Sequence, residues 1–200
     1  TALCDGMVLK DPRYIEVPSR NSIADQVEMT VEGNFFDGMV MLCTCDSIVP
    51  GHLMAAARLD IPTILVTGGY MPHGQCRGHE VLHIHAQDKV GTAKAGKMDM
   101  DEYNELIENS WGICGACTSM TTANSMCMIA EALGMTLPNN STMSAVGSQL
   151  YHLAYMAGKQ ILNLVYEGIT ARKIITVESL KNAIRLDMAV AGSSNLILHI

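Results

Sequence analysis

Aromatic residues and basic residues are both scarce in this sequence. Phenylalanine, tyrosine and tryptophan together make up 4% of the 200 residues. Lysine and arginine number 13 against 20 aspartates and glutamates, which gives a formal net charge of −7. No apolar run reaches the length of a membrane span, and no secretion signal is recognisable. The sequence therefore predicts neither a membrane protein nor a nucleic-acid-binding protein, because a nucleic-acid partner favours a positively charged surface.

Hydrophobic residues, by contrast, make up 48% of the sequence, so a substantial core can form. Methionine is abundant, with 15 residues, and its flexible side chain fills irregular core space. The seven cysteines are an odd number, and a protein with a full core does not need a disulfide scaffold. We expect a cytoplasmic protein in which some cysteines bind metal. The chain opens on Thr1 and ends in NLILHI, an apparent strand cut short, so we expect a fragment of a longer chain.

The first half of the sequence has the pattern of a parallel sheet. The apolar run GMVMLC (38–43) predicts a buried strand, residues 51–59 predict a helix, and the run at 61–69 predicts a second strand that ends in two glycines. A strand, a helix and a strand within thirty residues are typical of a βαβ unit. We therefore expect one α/β domain over residues 1–200, with a three-layer arrangement in which helices flank a parallel or mostly parallel sheet.

Helical periodicity covers much of the remaining sequence. Ser19 can cap a first helix, and Thr176 can cap the last one. Residues 70–98 are expected to form a surface excursion with a short strand near EVLHI. The predicted helices cover residues 19–33, 99–109, 120–134, 144–167 with a break near Gly158, and 176–192.

The stretch LCTCDSIVPG (42–51) falls at the carboxyl end of a predicted strand, just before a helix. Ligands of open α/β sheets bind at that edge, and helix N-termini favour anions there. A thiolate at Cys45 suits a soft metal and the carboxylate of Asp46 suits a hard one. Alternatively, Cys43 and Cys45 are small buried hydrophobic residues and Asp46 is a helix or turn cap.

The stretch SWGICGACTSM (110–120) holds a C-x-x-C pair, Cys114 and Cys117. Such a pair occurs in thioredoxin-like redox sites, in zinc sites and in iron–sulfur sites. A redox pair is expected near the first strand of the chain, whereas this pair lies far along it. The histidines of HEVLHIH (79–85) are possible zinc ligands, although their spacing mixes the helical and strand periods.

Two further stretches are weaker signals. DGMVLKDPRYIEVPSR (5–20) combines a possible metal carboxylate, Asp5, with a possible anion-binding side chain, Arg20. GSSN (192–195) follows a helix and offers small hydroxyl groups and an amide. Each stretch taken alone is better explained by a surface turn with a capping side chain.

Taken together, these stretches resemble the family of dihydroxy-acid and phosphogluconate dehydratases, which also includes sugar-acid dehydratases. The resemblance runs in order over nearly all 200 residues. It rests on PSRNSIAD (18–25), CDSIVPG (45–51) followed by MAAARLDIPTI, CGACTSMTTANSM (114–126) and AIRLDMAVAGSSN (183–195).

The resemblance implies a reaction and its cofactors. Members dehydrate 2,3-dihydroxy carboxylic acids to 2-keto acids through an enol, with an iron–sulfur cluster as Lewis acid on the departing hydroxyl and a magnesium ion beside it. Three cysteines hold the cluster, which is [2Fe–2S] or [4Fe–4S] depending on the member; of the two, we expect [2Fe–2S]. Full members are dimers or tetramers, so the resemblance implies a homo-oligomer.

The resemblance also implies roles for individual residues. Cys45 and Cys117 are the expected cluster ligands, whereas Cys43 is expected to pack within its strand. The third ligand precedes the DG motif, and Cys4 does not replace it because it adjoins the metal aspartate. Asp5 and Asp46 are the expected magnesium ligands. Residues expected at the substrate are Ser19, Arg20, Ser193 and Ser194.

One departure from the family pattern falls at an expected metal ligand. The residue after the Cys-Asp pair is usually a lysine, carbamylated so that it also binds magnesium, whereas this chain has Ser47. The catalytic serine base lies in a C-terminal domain that these residues do not include, so we expect the fragment alone to be inactive. Two alternatives stay open: a non-catalytic homologue with a binding or regulatory role, and a thiol oxidoreductase that uses Cys114 and Cys117.

Overall fold

The computed structural model of the chain describes residues 17–200. Eight α-helices, four short strands and two 3-10 turns occur along these residues. They are α1 (Val17–Asn34), β1 (Met39–Cys43), α2 (Ile48–Leu59), β2 (Thr63–Thr67), β3 (Gly74–Cys76), β4 (His79–Val81), α3 (His83–Lys94), α4 (Met100–Ser110), α5 (Thr122–Ala132), the turn Asn140–Thr142, α6 (Ser148–Glu167), α7 (Ala171–Ile174), α8 (Val177–Val190) and the turn Ser194–Leu198. No helix among residues 17–200 combines the length and hydropathy that crossing a bilayer requires.

The predicted βαβ unit is confirmed. Strands β1 and β2 pair in parallel, with Met39 opposite Thr63 and Cys43 opposite Thr67, and α2 connects them. All five residues of β2 are buried, which is expected for a strand covered on both faces. Because β1 and β2 run in parallel, their carboxyl ends lie side by side at one edge of the sheet.

Two different groups of helices cover the two faces of this strand pair. One core combines Met41 and Leu65 with residues of α1, α2 and α5. The other combines Ile64 and Val66 with apolar residues of α6. The alternation of side chains along a strand explains the division, because neighbouring residues of β2 point to opposite faces.

The α/β class is confirmed, but the extended parallel sheet of a three-layer domain is not what residues 17–200 form. Within that range the parallel sheet has two strands, and a single parallel bridge between Leu65 and Thr136 extends it. The second sheet is an antiparallel hairpin of β3 and β4. Hydrophobic runs alone do not reveal sheet width, which depends on pairing between distant segments.

The local predictions have mixed outcomes. The Thr176 cap is confirmed, since its Oγ1 accepts a hydrogen bond of 3.2 Å from the Ser179 N–H. The predicted Ser19 cap is wrong, because α1 already begins at Val17. The break near Gly158 is also wrong: α6 continues through it, and a glycine in a helix costs only about 1 kcal/mol relative to alanine.

Two segments have a different structure from the one predicted. The apolar end of the chain is a 3-10 turn over Ser194–Leu198 rather than a strand, and it begins where Ser193 Oγ accepts a hydrogen bond from the Asn195 N–H. Residues 83–94 form helix α3, where the sequence predicted a surface excursion. The two-fold and helical spacings overlap in HEVLHIH, so periodicity could not place the boundary between β4 and α3.

Candidate functional site

The loops that follow β1 and β2 are joined by one hydrogen bond. The Gly68 backbone N–H donates to Thr44 Oγ1 at 2.7 Å. A Cβ atom on residue 68 would lie 2.2 Å from that same oxygen, so only glycine allows this approach. The bond places residue 45 at the shared carboxyl edge of the two strands, as the sequence predicted for a site.

Cys45 adopts a backbone conformation that is unusual for a cysteine. Its φ angle is +93°, and such angles cost a residue with a side chain roughly 1–3 kcal/mol. Its carbonyl accepts a hydrogen bond of 3.3 Å from the Val49 N–H, in the first turn of α2. The sharp turn thus sends the chain directly from β1 into α2 and leaves the Cys45 side chain half-buried.

The loop that contains Cys117 is attached to the same edge through β-type hydrogen bonds. The Ala116 N–H donates to the Gly69 carbonyl at 2.8 Å, and the Met71 N–H donates to the Ala116 carbonyl at 2.8 Å. Asn124, in α5, donates from its side-chain amide to the carbonyls of Cys117 and Ser119. Cys117 is therefore held through the residue before it and through its own carbonyl.

A cavity of about 490 Å³ lies where the two cysteine loops meet. Its lining includes Cys45 from the first loop and Cys114 from the second. Gly115 also lines it, with a φ angle of +126°, and a Cβ there would lie 2.7 Å from the Met71 nitrogen. The cavity is thus lined by one cysteine of each predicted motif, whereas Cys117, the expected cluster ligand, is not among its lining residues.

Burial separates Cys43 and Cys127 from this site. Cys43 is buried within β1, as predicted, and burial raises the pKa of its thiol far above the ordinary range. Burial also raises the pKa of Cys127 to about 11, and the negative charge of Asp46 adds to the effect. Both thiols are protonated at neutral pH, and a protonated thiol is neither a nucleophile nor a metal ligand.

Asp46 and Ser47 form the turn that leads into α2. Asp46 is half-buried, and its negative charge adds to the raised pKa of Cys127. Ser47 occupies the N-cap position of α2, but its side chain is not the cap, because it forms no capping hydrogen bond. It is 1% exposed. The position at which the resemblance expects a metal-binding lysine is thus enclosed within the protein.

The four predicted substrate residues lie on two segments that meet. Ser19 and Arg20 are in the first turn of α1, and Arg20 Nη1 donates to the Leu198 carbonyl at 2.5 Å. Ser193 and Ser194 precede Leu198 by a few residues, in the turn at the end of the chain. The structure therefore brings the two predicted pairs onto neighbouring segments.

The Ser193 segment is in turn attached to the start of α5. Ser193 Oγ lies 2.9 Å from Thr122 Oγ1, and the Ser193 N–H donates to Ser125 Oγ at 2.9 Å. Ser194 is exposed. Since α5 directly follows the Cys117 loop, Ser193 and Ser194 lie on a segment beside that loop.

The first turns of α1 and α2 also approach each other closely. A Cβ atom on Gly51 would lie 2.8 Å from the Arg20 carbonyl oxygen, so glycine is required there. The N-termini of α1 and α2 therefore adjoin each other, and the start of α5 adjoins the Ser193 segment. Helix N-termini carry partial positive charge and favour an anionic ligand such as a carboxylate.

The residues of the described range do not by themselves complete a metal site. Among residues 17–200, no group of three or more histidine, cysteine, aspartate or glutamate side chains is arranged to hold a metal ion. Asp5 lies outside the described residues, as does any cysteine that would precede it. The donors present nevertheless differ in type as the prediction requires: soft sulfur at Cys45 and Cys117, and hard oxygen at Asp46.

The histidines of residues 79–85 are used in other ways than as a zinc cluster. His79 is exposed on β4, and His85 Nδ1 accepts a hydrogen bond of 3.1 Å from the Leu82 N–H at the start of α3. His83 is buried against the cysteine loop, where its ring nitrogens face Thr118 and Ser119.

Sequence reasoning missed several residues that hold the site together. Thr44 links the two strand ends, Asn124 fixes the Cys117 carbonyl, and Asn140 bonds both backbone groups of Thr67. The only sequence signal for them was polarity within otherwise apolar segments. That signal marks a buried polar residue but does not identify its partner.

The comparisons with known proteins agree with the resemblance over the whole chain. A family model described as dihydroxy-acid/6-phosphogluconate dehydratase N-terminal matches residues 1–200. A protein of Methanospirillum hungatei JF-1 named dihydroxy-acid dehydratase is 45% identical over 200 residues, which cover 99% of this chain and 36% of that protein.

Two further relatives carry the same name. The one from Clostridium pasteurianum is 44% identical and is matched over 99% of this chain and 70% of its own length. The one from Maridesulfovibrio salexigens is 43% identical, over 99% of this chain and 36% of its own length. The chain thus spans about a third of the length of two of these three relatives.

Proposed function

Since the chain belongs to the dihydroxy-acid/6-phosphogluconate dehydratase family, we propose that it forms part of a hydro-lyase. The reaction removes water from a 2,3-dihydroxy carboxylic acid: the 3-hydroxyl leaves, the proton on carbon 2 is lost, and the resulting enol becomes a 2-keto acid. The relatives' shared name supports a dihydroxy acid as substrate. A branched dihydroxy acid would place the protein in branched-chain amino acid biosynthesis, and a sugar acid would place it in carbohydrate breakdown.

One structural relationship carries this proposal. The segment Gly68–Gly69 bonds both cysteine loops, since Gly68 donates to Thr44 Oγ1 at 2.7 Å and Gly69 accepts from the Ala116 N–H at 2.8 Å. The residues that directly follow Thr44 and Ala116 are Cys45 and Cys117. The residues that precede these two cysteines, which are 72 positions apart in the sequence, are therefore bonded to adjacent residues, and this supports a shared cofactor.

Cys45 and Cys117 are the chain's ligands for the iron–sulfur cluster in this proposal, and a third cysteine comes from outside the described residues. We favour a [2Fe–2S] cluster over [4Fe–4S]. When bound, the cluster supplies a Lewis acid that polarises the hydroxyl to be removed. Both cysteines are half-buried, whereas Cys43 and Cys127 are buried and keep their protons, so burial sets the two candidate ligands apart from these two core cysteines.

Asp46 and Asp5 are the proposed magnesium ligands, because carboxylates are the protein donors that magnesium prefers. Asp46 directly follows the cluster ligand Cys45, so a carboxylate and a thiolate are available within one turn. Ser47 supplies no carbamate. We propose that water or another oxygen donor completes the magnesium site, since magnesium in proteins usually keeps several waters.

The substrate carboxylate is proposed to bind near the N-termini of α1, α2 and α5. Arg20 and Ser19 approach from α1, and Ser193 and Ser194 approach from the segment held on α5. Hydrogen-bond donors at helix N-termini combine with an arginine side chain to bind and orient a carboxylate. We further propose a cytoplasmic homo-oligomer, a dimer or tetramer.

The cluster assignment is tested on the intact protein isolated without oxygen. We expect a brown protein that contains iron and sulfide, and we expect Cys45→Ser and Cys117→Ser to abolish the visible charge-transfer absorption. Cys43→Ser and Cys114→Ser are matched controls that should keep it. A colourless, iron-free protein after anaerobic reconstitution would contradict the assignment.

A second candidate function is a non-catalytic homologue that retains the fold for binding or regulation. The observation that favours it is Ser47, which is 1% exposed at the position where the resemblance expects a metal-binding lysine. Anaerobic assay of the intact protein with dihydroxy-isovalerate and several sugar acids separates the two candidates. Formation of a 2-keto acid from any of them excludes the non-catalytic role.

A further inference from the structure

His83 lies against the two residues that directly follow Cys117. Its Nδ1 atom is 3.1 Å from Thr118 Oγ1, and its Nε2 atom is 3.3 Å from Ser119 Oγ. Both ring nitrogens are therefore engaged by consecutive residues of one loop. The side chain belongs to the first residue of α3, so the loop is tied to an element that the sequence does not connect to it directly.

The surroundings fix the orientation of the His83 ring. The residue is 5% exposed, and its ring centroid lies 5.9 Å from that of Trp111, at the start of the same loop. Burial lowers the pKa of His83, so the ring is neutral near pH 7. In a neutral imidazole one nitrogen donates and the other accepts, so one loop hydroxyl must accept from the ring and the other must donate to it.

Three sets of contacts thus restrain Cys117. The residue before it, Ala116, is paired with Gly69 and Met71 through the backbone. Its own carbonyl accepts from Asn124. The residues after it are bonded by His83. Only this last set comes from a side chain outside the βαβ unit and α5.

We propose that His83 is a positioning residue that fixes the direction in which Cys117 presents its sulfur to the metal cofactor. This inference rests on the proposed function for the identity of the cofactor. Groups that orient a ligand from outside the coordination shell typically change metal affinity or activity by about 10- to 100-fold when removed. His83 does so through Thr118 and Ser119 and contacts no reacting atom.

The test replaces His83 in the intact protein. His83→Phe keeps a planar ring beside Trp111 but removes both hydrogen bonds. His83→Gln is the conservative variant, because its amide can reach the position of Nε2 and restore the bond to Ser119. His79→Phe is the matched control, since His79 is an exposed histidine on β4, four residues earlier.

The first readout needs no cofactor. In the cluster-free protein, iodoacetamide labelling is followed for each cysteine by mass spectrometry. We expect His83→Phe to raise the labelling rate of Cys117 roughly five-fold, the factor equivalent to one hydrogen bond. His83→Gln should give a Cys117 labelling rate between those of His83→Phe and the wild type, and His79→Phe should match the wild type. Cys114, in the same loop, and the buried Cys127 should keep their wild-type labelling rates. A general loosening of the fold would raise the rates of these two cysteines as well.

The second readout is the iron and sulfide bound after anaerobic reconstitution, measured over a range of iron concentrations. We expect His83→Phe to need about ten-fold more iron for half-loading, the lower end of the usual range for such residues.

Unchanged Cys117 labelling in His83→Phe overturns the proposal, and so does a rise shared equally by Cys114 and Cys127. If His83→Phe does not fold, the double variant Thr118→Val/Ser119→Ala removes the same bonds and is judged by the same criteria. If the wild-type protein binds no cluster, the proposed function fails, while the labelling rates still decide whether His83 positions Cys117.

Discussion

The side-chain amide of Asn140 bonds both backbone groups of Thr67, the last residue of β2. Asn140 Oδ1 accepts from the Thr67 N–H at 2.7 Å, and Asn140 Nδ2 donates to the Thr67 carbonyl at 3.0 Å. The side chain takes the place of a neighbouring strand at the point where the next residue, Gly68, bonds Thr44. A buried asparagine thus completes the sheet edge that carries the candidate site.

Replacing Asn140 with alanine should destabilise the protein substantially. The change leaves two buried backbone groups of Thr67 without partners, and each such loss costs about 1–3 kcal/mol. We expect the free energy of unfolding to fall by about 2–6 kcal/mol, measured by urea denaturation. Asn163→Ala, at an exposed position of α6, is the matched control and should change stability by less than about 0.5 kcal/mol. Equal effects of the two substitutions would contradict the role given to Asn140.

Replacing Thr44 with valine should separate the two cysteine loops while preserving side-chain shape. The Gly68 N–H loses its acceptor, so we expect a loss of about 1–2 kcal/mol in the free energy of unfolding. Because this bond anchors the residue before Cys45, the iron bound after reconstitution should also fall. Thr30→Val, on the exposed face of α1, should affect neither quantity measurably. Wild-type iron content in Thr44→Val would show that the bond does not position Cys45.

The cysteines should fall into two classes of reactivity at pH 8 in the native protein. Cys114 is exposed and should be alkylated rapidly, whereas Cys43 and Cys127 should react only after unfolding. With a pKa of about 11, roughly one Cys127 side chain in a thousand is a thiolate at that pH. Peptide mapping after timed iodoacetamide treatment, with and without urea, measures this order. Rapid native labelling of Cys43 would contradict its placement in the core of β1.

Acid should destabilise the protein partly through His199. Burial, and then the positive charge of Arg20, lower the pKa of His199 to about 4, against about 6.5 in an unfolded chain. Between those values the unfolded state binds more protons, so the stability is complete above pH 6.5 and is lost as the pH falls towards 4.

Urea denaturation at several pH values, on wild type and His199→Gln, measures this contribution. The wild type should lose more stability than His199→Gln on acidification from pH 7 to pH 4. Arg20→Gln removes the nearby positive charge and so raises the folded-state pKa of His199, which should make the acid-induced loss smaller and end it at a higher pH. Parallel stability curves for wild type and His199→Gln would show that His199 does not contribute.

Much of the local structure was predictable because it depends on neighbours in sequence. The βαβ unit followed from apolar runs, and the Thr176 cap followed from a threonine before a periodic helix. The continuous path of α6 through Gly158 was not predictable, because helix continuation there depends on packing along the whole helix. The start of α3 was missed for a similar reason, since His83 is fixed by a loop thirty-five residues further along the chain.

The candidate site was predicted as a set of motifs rather than as a geometry. Sequence motifs singled out Cys45, Cys117 and Asp46. In the structure, burial raises the pKa values of Cys43 and Cys127 and so sets these two cysteines apart from the candidate ligands. The sequence contained no signal for the partners that hold the loops. Thr44 finds its partner 24 residues away, and Asn140 finds its partner 73 residues away.

The sequence by itself determined the family, the βαβ unit and the residue types available to bind metal and substrate. These follow from short motifs and from periodicity, which act over a few residues. Only the tertiary structure decided that Gly68 and Gly69 join the two cysteine loops, and that His83 supports the second of them. The physical reason is that hydrogen bonds between distant segments form only once the core has packed and brought those segments together.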